Sequence, residues 1–260
     1  MPMAKIIRGT RAAGFTLVEM LVSIAIVGLL LSILVPALGA AIHSSRAFKC
    51  QMGLRSIAFD FSVFADVSLH GDRGDDASAG SGSFRLETFQ ESEYGVDEFW
   101  RWGEREVVSV PDAAGNDPMR CPEVPGELTL RPNAPCSGGA VAPPKSVSFA
   151  FNLRLHRAEV LMPNGAVRLT AVRLVDRIGE ESDVPLVLDV DGESATAQGA
   201  SPLYTAPAAG SNGPLSQDRF WFPSARHAGR TNVAFVGGHV LMSKTPADEP
   251  GWRWDYQPIR

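Results

Sequence analysis

From Met20 to Ile42 the chain carries no Asp, Glu, Lys or Arg. A helix rising about 1.5 Å per residue over that run is long enough to cross a hydrocarbon core of about 30 Å. The preceding segment, MPMAKIIRGTRAAG, holds Lys5, Arg8 and Arg11 and no acid. Basic flanks stay on the cytoplasmic side, so everything after about Ile42 is expected to be exported. An ordinary signal peptide places a small-residue cleavage site after its apolar core. Here the distinctive junction, Gly14-Phe15, stands before it.

The remaining residues make about one ordinary domain. The chain has 24 Lys and Arg against 29 Asp and Glu, a formal charge of -5, and the charges of the leader and stalk are mostly basic. The exported part is therefore more acidic than the total, which argues against a nucleic-acid surface, since that needs a basic stripe. An apolar content of 45% suffices for a packed core, while 25 Gly and 19 Pro foretell long loops. Cys50, Cys121 and Cys136 are far apart in sequence and no histidine clusters with them, so neither a zinc site nor a Cys-x-x-Cys motif is expected. An exported location would permit one disulfide.

The string Gly14-Phe15-Thr16-Leu17-Val18-Glu19 closely resembles the recognition site of type IV prepilins and type II secretion pseudopilins. The resemblance implies cleavage after Gly14 by a membrane-embedded prepilin peptidase, N-methylation of Phe15, and retention of Glu19 inside the apolar helix. Pro36 falls where the family commonly has a helix-kinking proline. Glu19 also has a reading from physics. A carboxylate near the membrane costs several kcal/mol unless paired, which makes it a functional candidate. The freed α-amino group of Phe15 on a neighbouring subunit would be a natural partner and would set the axial register of packed helices. The plainer alternative is a carboxylate in the headgroup region, reaching for water.

Apolar residues Leu54, Ile57, Ala58, Phe61, Phe64 and Ala65 recur at three- and four-residue steps, with Arg55, Asp60 and Asp66 off that stripe. The helix is therefore expected to continue to about Val67, with its outer half laid on a sheet, and Pro36 and Gly39 are places where it would bend or locally melt. The expected segments are a leader at 1–14, a transmembrane and assembly helix at 15–42, an exported half-helix at 43–67 and an α+β domain at 68–260. The segment from Cys50 to Ile57 resembles a Cys-x-x-Asn-Leu-x-x-Ile pattern of one large group of bacterial prepilin-like proteins, with Gly53 in place of Asn, and Cys121-Pro122 resembles a Cys-Pro step of that group. On those family-like positions Cys50 with Cys121 is the preferred disulfide, ahead of Cys121 with Cys136.

Ser68 to Ser83 is glycine-rich and polar, an expected exposed loop. Its Asp72, Asp75 and Asp76 are the one candidate for calcium, although a solvated acidic loop is the commoner meaning of such a run. A short helix is expected between Phe84 and Trp102, and turns from Pro111 to Pro144. Val147, Phe149, Phe151, Leu153 and Leu155 alternate with the period of a strand, and 167–175 and 184–190 are further strand candidates. Asp189-Val190-Asp191-Gly192 looks like a calcium loop but lacks the other acids of an EF-hand, so a strand running into a turn is expected. Ser194 to Gln217 is expected to be a second loop.

The stretch from Arg226 to Val240 resembles the C-terminal His-x9-Asp-Gly signature of the same group, with His227 in place and Gly237 where the Asp belongs. Gly237-Gly238 suits a two-residue hairpin turn with positive φ, which would put Val233, Phe235, Val240 and Met242 on one face. His227 and His239 are expected to serve structural hydrogen bonding rather than metal binding or catalysis.

The expected fold is α+β and pilin-like: a long N-terminal helix, transmembrane in its first half, packed on an antiparallel sheet of about four to six strands. The expected function is a pseudopilin-like structural subunit of a type II secretion-like system, in the bacterial inner membrane with its C-terminal domain in the periplasm. Its partners would be prepilin peptidase, other pseudopilin subunits, an inner-membrane secretion platform and membrane lipid, with no nucleic acid. A type IV pilus or DNA-uptake minor pilin is the alternative. A membrane-anchored enzyme or binding protein ranks lower, because no Gly-x-Ser-x-Gly elbow, His-Glu-x-x-His helix or phosphate loop is present. No cofactor beyond the calcium candidate is expected.

Overall fold

The computed structural model describes residues 16–70, 83–94, 120–124, 147–161, 167–198, 203–207, 221–254 and 256. Helix α1 (Leu17–Ala65) is followed by the single turn α2 (Val67–His70), strand β1 (Ser83–Phe84) and helix α3 (Leu86–Tyr94). Then come β2 (Phe149–Asn152), the turn α4 (Leu153–His156), β3 (Arg157–Leu161), β4 (Val167–Ala171), β5 (Leu174–Val175) and a 3-10 turn at Asp176–Glu180. The chain continues through β6 (Pro185–Asp189), α5 (Gly192–Ala197), β7 (Tyr204–Thr205), β8 (Thr231–Phe235) and β9 (Val240–Ser243). Two compact units, divided between Ser45 and Arg46, share α1.

In the first unit every residue from Thr16 to Ser45 is exposed, including Ile24, Leu29, Ile33 and Leu38. A helix apolar on all sides has no polar face to turn to water, and lipid is the solvent that suits it. The helix runs without a break through Pro36 and Gly39, so the expected local melting does not occur.

In the second unit the described core joins α1 to the main sheet. Cys50, Leu54, Ile57, Ala58, Phe61, Phe64 and Ala65 are all buried, in one cluster with Phe149, Phe151, Leu188 and Phe235. The helical stripe foretold from periodicity is thus the buried stripe, extended one turn back to Cys50. Aromatic edges meet faces within it: Phe61 and Phe89 lie 5.2 Å apart and Phe64 and Phe84 5.3 Å apart, both T-shaped, the arrangement favoured by ring quadrupoles. Off the stripe, Asp60 accepts a 2.7 Å hydrogen bond from the Tyr94 hydroxyl and so ties α1 to α3.

Among the described residues the main sheet has five strands in the order β7-β2-β6-β8-β9, and β1-β5 and β3-β4 form two separate two-stranded sheets. All pairings are antiparallel except β2 with β7. The fold is α+β and pilin-like, with a mixed rather than purely antiparallel sheet.

Several local expectations are corrected. The alternating run from Val147 ends as a strand at Asn152, whose side chain accepts from Arg154 N–H at 3.0 Å and donates to the Pro185 carbonyl at 2.8 Å. That cap turns Leu153–His156 into a helical turn. The strand candidate at 167–175 is interrupted between β4 and β5. Asp191 does not enter a simple turn: it caps α5, accepting from Ser194 N–H at 3.1 Å and Ser194 Oγ at 2.7 Å. The loop expected from Ser194 to Gln217 contains the end of α5 and all of β7. At the start of the loop expected from Ser68, residues to His70 form α2, which Asp66 caps through Ser68 N–H at 2.8 Å. Asp72, Asp75, Asp76 and Cys136 lie outside the described residues.

The hairpin of β8 and β9 differs from expectation by one residue. Gly238 N–H bonds the Phe235 carbonyl at 2.9 Å and Phe235 N–H bonds the His239 carbonyl at 3.0 Å, enclosing a three-residue loop. Only Gly238 of the two glycines takes positive φ, at 84°. The odd loop shifts register, pairing Ala234 with Val240 and Asn232 with Met242. Val240 and Met242 therefore share a face with Ala234 and Asn232, not with Val233 and Phe235.

Candidate functional site at the N-terminal helix and a buried thiol cluster

Gly14 and Phe15 lie outside the described residues. Glu19 lies just inside α1, where its carboxylate Oε2 accepts from Thr16 N–H at 2.8 Å and Thr16 Oγ1–H at 2.7 Å, while Glu19 N–H reaches back to Thr16 Oγ1 at 3.3 Å. This reciprocal capping box satisfies donors that the helix start leaves without partners. Its signal, Thr-x-x-Glu before an apolar run, was present in the sequence but overshadowed by the junction it overlaps.

The second constellation brings Cys50 and Cys121 together as expected, but joins His227 and Asp189 to them, which was not. Cys50 of α1, Cys121 of the segment 120–124, Asp189 at the end of β6 and His227 ahead of β8 place their ligand atoms within 4.8 Å of one another, and all four are buried. Cys50 Sγ lies 3.2 Å from Asp189 Oδ1, and His227 Nε2 lies 3.4 Å from Cys121 Sγ and 3.5 Å from Asp189 Oδ2. The expectation that no histidine joins the cysteines is corrected: His227 is adjacent to Cys121, 106 positions away in sequence. Both cysteines are free thiols, so the pairing expected between them is not formed.

Local structure aims each group. Cys121 N–H bonds Ser148 Oγ at 2.7 Å beside β2, and the Cys121 carbonyl accepts from Val124 N–H at 3.0 Å. After His227, Ala228 and Gly229 take φ of 54° and 75°, and Arg230 N–H returns to the His227 carbonyl at 3.1 Å. A left-handed alanine costs about 1 kcal/mol or more, so backbone strain adjoins the imidazole, as it often does at functional sites. Asp189 accepts from Asn232 Nδ2 at 2.8 Å and Asn232 N–H at 3.2 Å, and a guanidinium nitrogen of Arg226 lies 3.6 Å away.

The electrostatics are those of a packed polar knot. Burial pushes the Asp189 carboxyl up to about 6, against the pull of Arg226. A hydrogen bond from Cys50 lowers the Cys121 thiol to about 4, with help from His227 and Arg226, while that same contact and burial push Cys50 up. Burial alone would lower His227, but Cys121 and Asp189 outweigh it and raise it. The cluster thus eases proton loss from Cys121 and tightens the hold of His227 on its proton. Both sulfurs are buried beneath the protein surface, at 1% and 0% exposure, which disfavours their use as nucleophiles on an external substrate. Two sulfurs, one imidazole nitrogen and one carboxylate are also a donor set for a transition metal.

The remaining motif residues fall apart from the cluster. His239 is exposed and stacks on Phe235 at 4.5 Å, and Gly237 and Gly238 shape the turn beside it. The family-like motifs had singled out Cys50, Cys121 and His227 separately, and Asp189 is the acid closing an apolar strand; Asn232 and Glu123 gave no sign of the cluster.

Residues 9–35 match the family model of the prokaryotic N-terminal methylation motif. The chain carries a prepilin-type N-terminus. The match supports a type IV prepilin-like family, processing by a peptidase and assembly with other pilin subunits, and with the exposed apolar helix it is consistent with membrane anchoring. Neither the curated proteins nor the solved structures contain a match to the chain.

Proposed function

We propose that the chain is a pseudopilin-like structural subunit, cut after Gly14 and built through its N-terminal helix into a periplasmic filament of a type II secretion-like system. The observation that carries this reading is the continuity of the methylation motif with an apolar helix exposed on every side. Such a surface is suited first to lipid and then to the helices of neighbouring subunits. The acidic exported part accords with protein partners rather than nucleic acid. No catalytic role is proposed.

Intact-mass measurement of the protein from its native host tests the reading. The mature form should lack residues 1–14 and carry one added methyl group, and Gly14→Val should leave the full-length precursor in the membrane. Crosslinked ladders from cysteines introduced into α1, together with loss of cargo export when the gene is deleted, test the filament. An unprocessed Met1 terminus, or a processed protein that stays monomeric in cells that secrete normally, would overturn it.

A further inference from the structure

We infer that Cys50, Cys121, Asp189 and His227 form a structural transition-metal site of the zinc class, which clamps helix α1 to the main sheet. The site goes beyond the filament reading and does not depend on it. Four donors of three chemical kinds converge from α1, the segment at 120–124, β6 and the segment before β8, with every ligand atom within 4.8 Å of the others. Around a tetrahedral ion with bonds of about 2.0 to 2.3 Å, neighbouring donors stand about 3.3 to 3.8 Å apart. The contacts of 3.2, 3.4 and 3.5 Å already approach that spacing.

The surroundings match what a metal centre requires. Nδ1, the imidazole nitrogen facing away from the thiols, is buried and has no hydrogen bond among the described residues; its nearest carboxylate oxygen is Glu123 Oε2 at 3.5 Å. A histidine that ligates through Nε2 would hold its proton on Nδ1 towards Glu123, the usual carboxylate–histidine–metal arrangement. Asn232 holds the Asp189 carboxylate from the side. A divalent ion bound by two thiolates and one carboxylate carries one net negative charge, and the Arg226 guanidinium balances it. Sulfur donors select against calcium and magnesium. Four protein ligands and full burial mark a closed, structural centre rather than a catalytic one with an open position. A Cys50–Cys121 disulfide would remove two of the four donors, so the two states exclude each other.

The test uses the full chain, purified in detergent through a tag without histidines and without chelators. Metal content by plasma mass spectrometry should be about one zinc per chain, falling to roughly a tenth or less in Cys50→Ser and His227→Ala. Cys136→Ser should keep the full content. Cobalt exchange should give thiolate charge-transfer and tetrahedral ligand-field bands, and chelation should lower the melting temperature until zinc is restored. Variants that fail to fold leave the wild-type measurements decisive. Wild-type protein without metal, with its thiols free or joined Cys50 to Cys121 in non-reducing peptide maps, would overturn the site. So would metal binding that is lost in Cys136→Ser.

Discussion

Gly237 lies so close to Ser182 that a Cβ built on it would fall 2.9 Å from both the Ser182 Cα and Cβ. This contact accounts for the departure from the His-x9-Asp-Gly pattern: an aspartate cannot occupy the position while Ser182 keeps its place. The 3-10 turn at Asp176–Glu180, with Val184 N–H bonded to the Glu181 carbonyl, brings the chain around to that point. The hairpin tip therefore packs against a neighbouring turn instead of presenting an acid.

Gly237→Ala should destabilise the protein by about 1 to 3 kcal/mol, the usual cost of forcing a methyl group into occupied space. Gly237→Asp should cost more. Gly238→Ala should cost about 1 kcal/mol for a different reason, the left-handed backbone at φ 84°. Denaturant melts of the three variants check the order, and a Gly237→Ala protein as stable as wild type would show that Ser182 yields freely.

Phe61 lies at the junction of α1 with α3, fully buried and 5.2 Å from Phe89 and 5.9 Å from Phe84. Phe61→Ala should cost about 3 to 5 kcal/mol through lost burial and the cavity left behind. Phe59, exposed two positions earlier, should tolerate alanine within about 0.5 kcal/mol in solution. Denaturant midpoints of the pair measure how far the helix stripe alone decides attachment.

His156 of α4 predicts a pH dependence. Its ring stacks on Tyr204 at 4.0 Å, Nδ1 faces Glu87 Oε1 at 3.1 Å, and Nε2 accepts from Arg157 Nε–H at 3.0 Å. A nitrogen already accepting from a guanidinium is poorly placed to take a proton, and burial together with Arg157 lowers the imidazole to about 3 despite Glu87. The unfolded chain protonates near the ordinary value of about 6.5. Stability from His156 is therefore complete above that value and is lost as pH falls from about 6.5 toward 3, at up to about 1.4 kcal/mol per pH unit. Asp189 and His227, both raised, act in the opposite sense in the same window, so the slope is read from the difference in stability between wild type and His156→Gln from neutral pH to about pH 4.5. Equal slopes in the two proteins would refute the assignment.

How much was legible beforehand depended on the range of the interactions. The apolar run and the stripe from Leu54 to Ala65 are local periodicities, and both reappear as lipid-suited and core-facing surfaces. The hairpin was visible, but its register turned on whether the loop held two residues or three, and Gly238 decided that through one hydrogen bond. The cluster was hidden because its ligands are bridged only by the fold: 139 positions separate Cys50 from Asp189. Sequence spacing reveals a metal site when ligands share a turn or a helix, and here each comes from a different segment.

Glu19 has one observed role, in the capping box, and one proposed role, in the filament, and a single alanine substitution confounds the two. The carboxylate completes the capping box with Thr16, and cleavage after Gly14 would leave Thr16 N–H in place, so the box can persist in the mature chain. The proposed filament role instead needs the negative charge, directed at the amino group of Phe15 on another subunit. Glutamine separates the two, because it can close a capping box but carries no charge. Glu19→Gln should insert in the membrane, since removing a charge eases residence there, and should be cut, since Gly14 is untouched. If charge pairing sets the register, Glu19→Gln should abolish crosslinked ladders as fully as Glu19→Ala does, while Thr16→Val, which removes the two hydroxyl contacts of the box but keeps the backbone contact and the charge, should assemble. The reverse pattern, with glutamine assembling and Thr16→Val failing, would assign Glu19 to the helix start and remove it from the subunit interface.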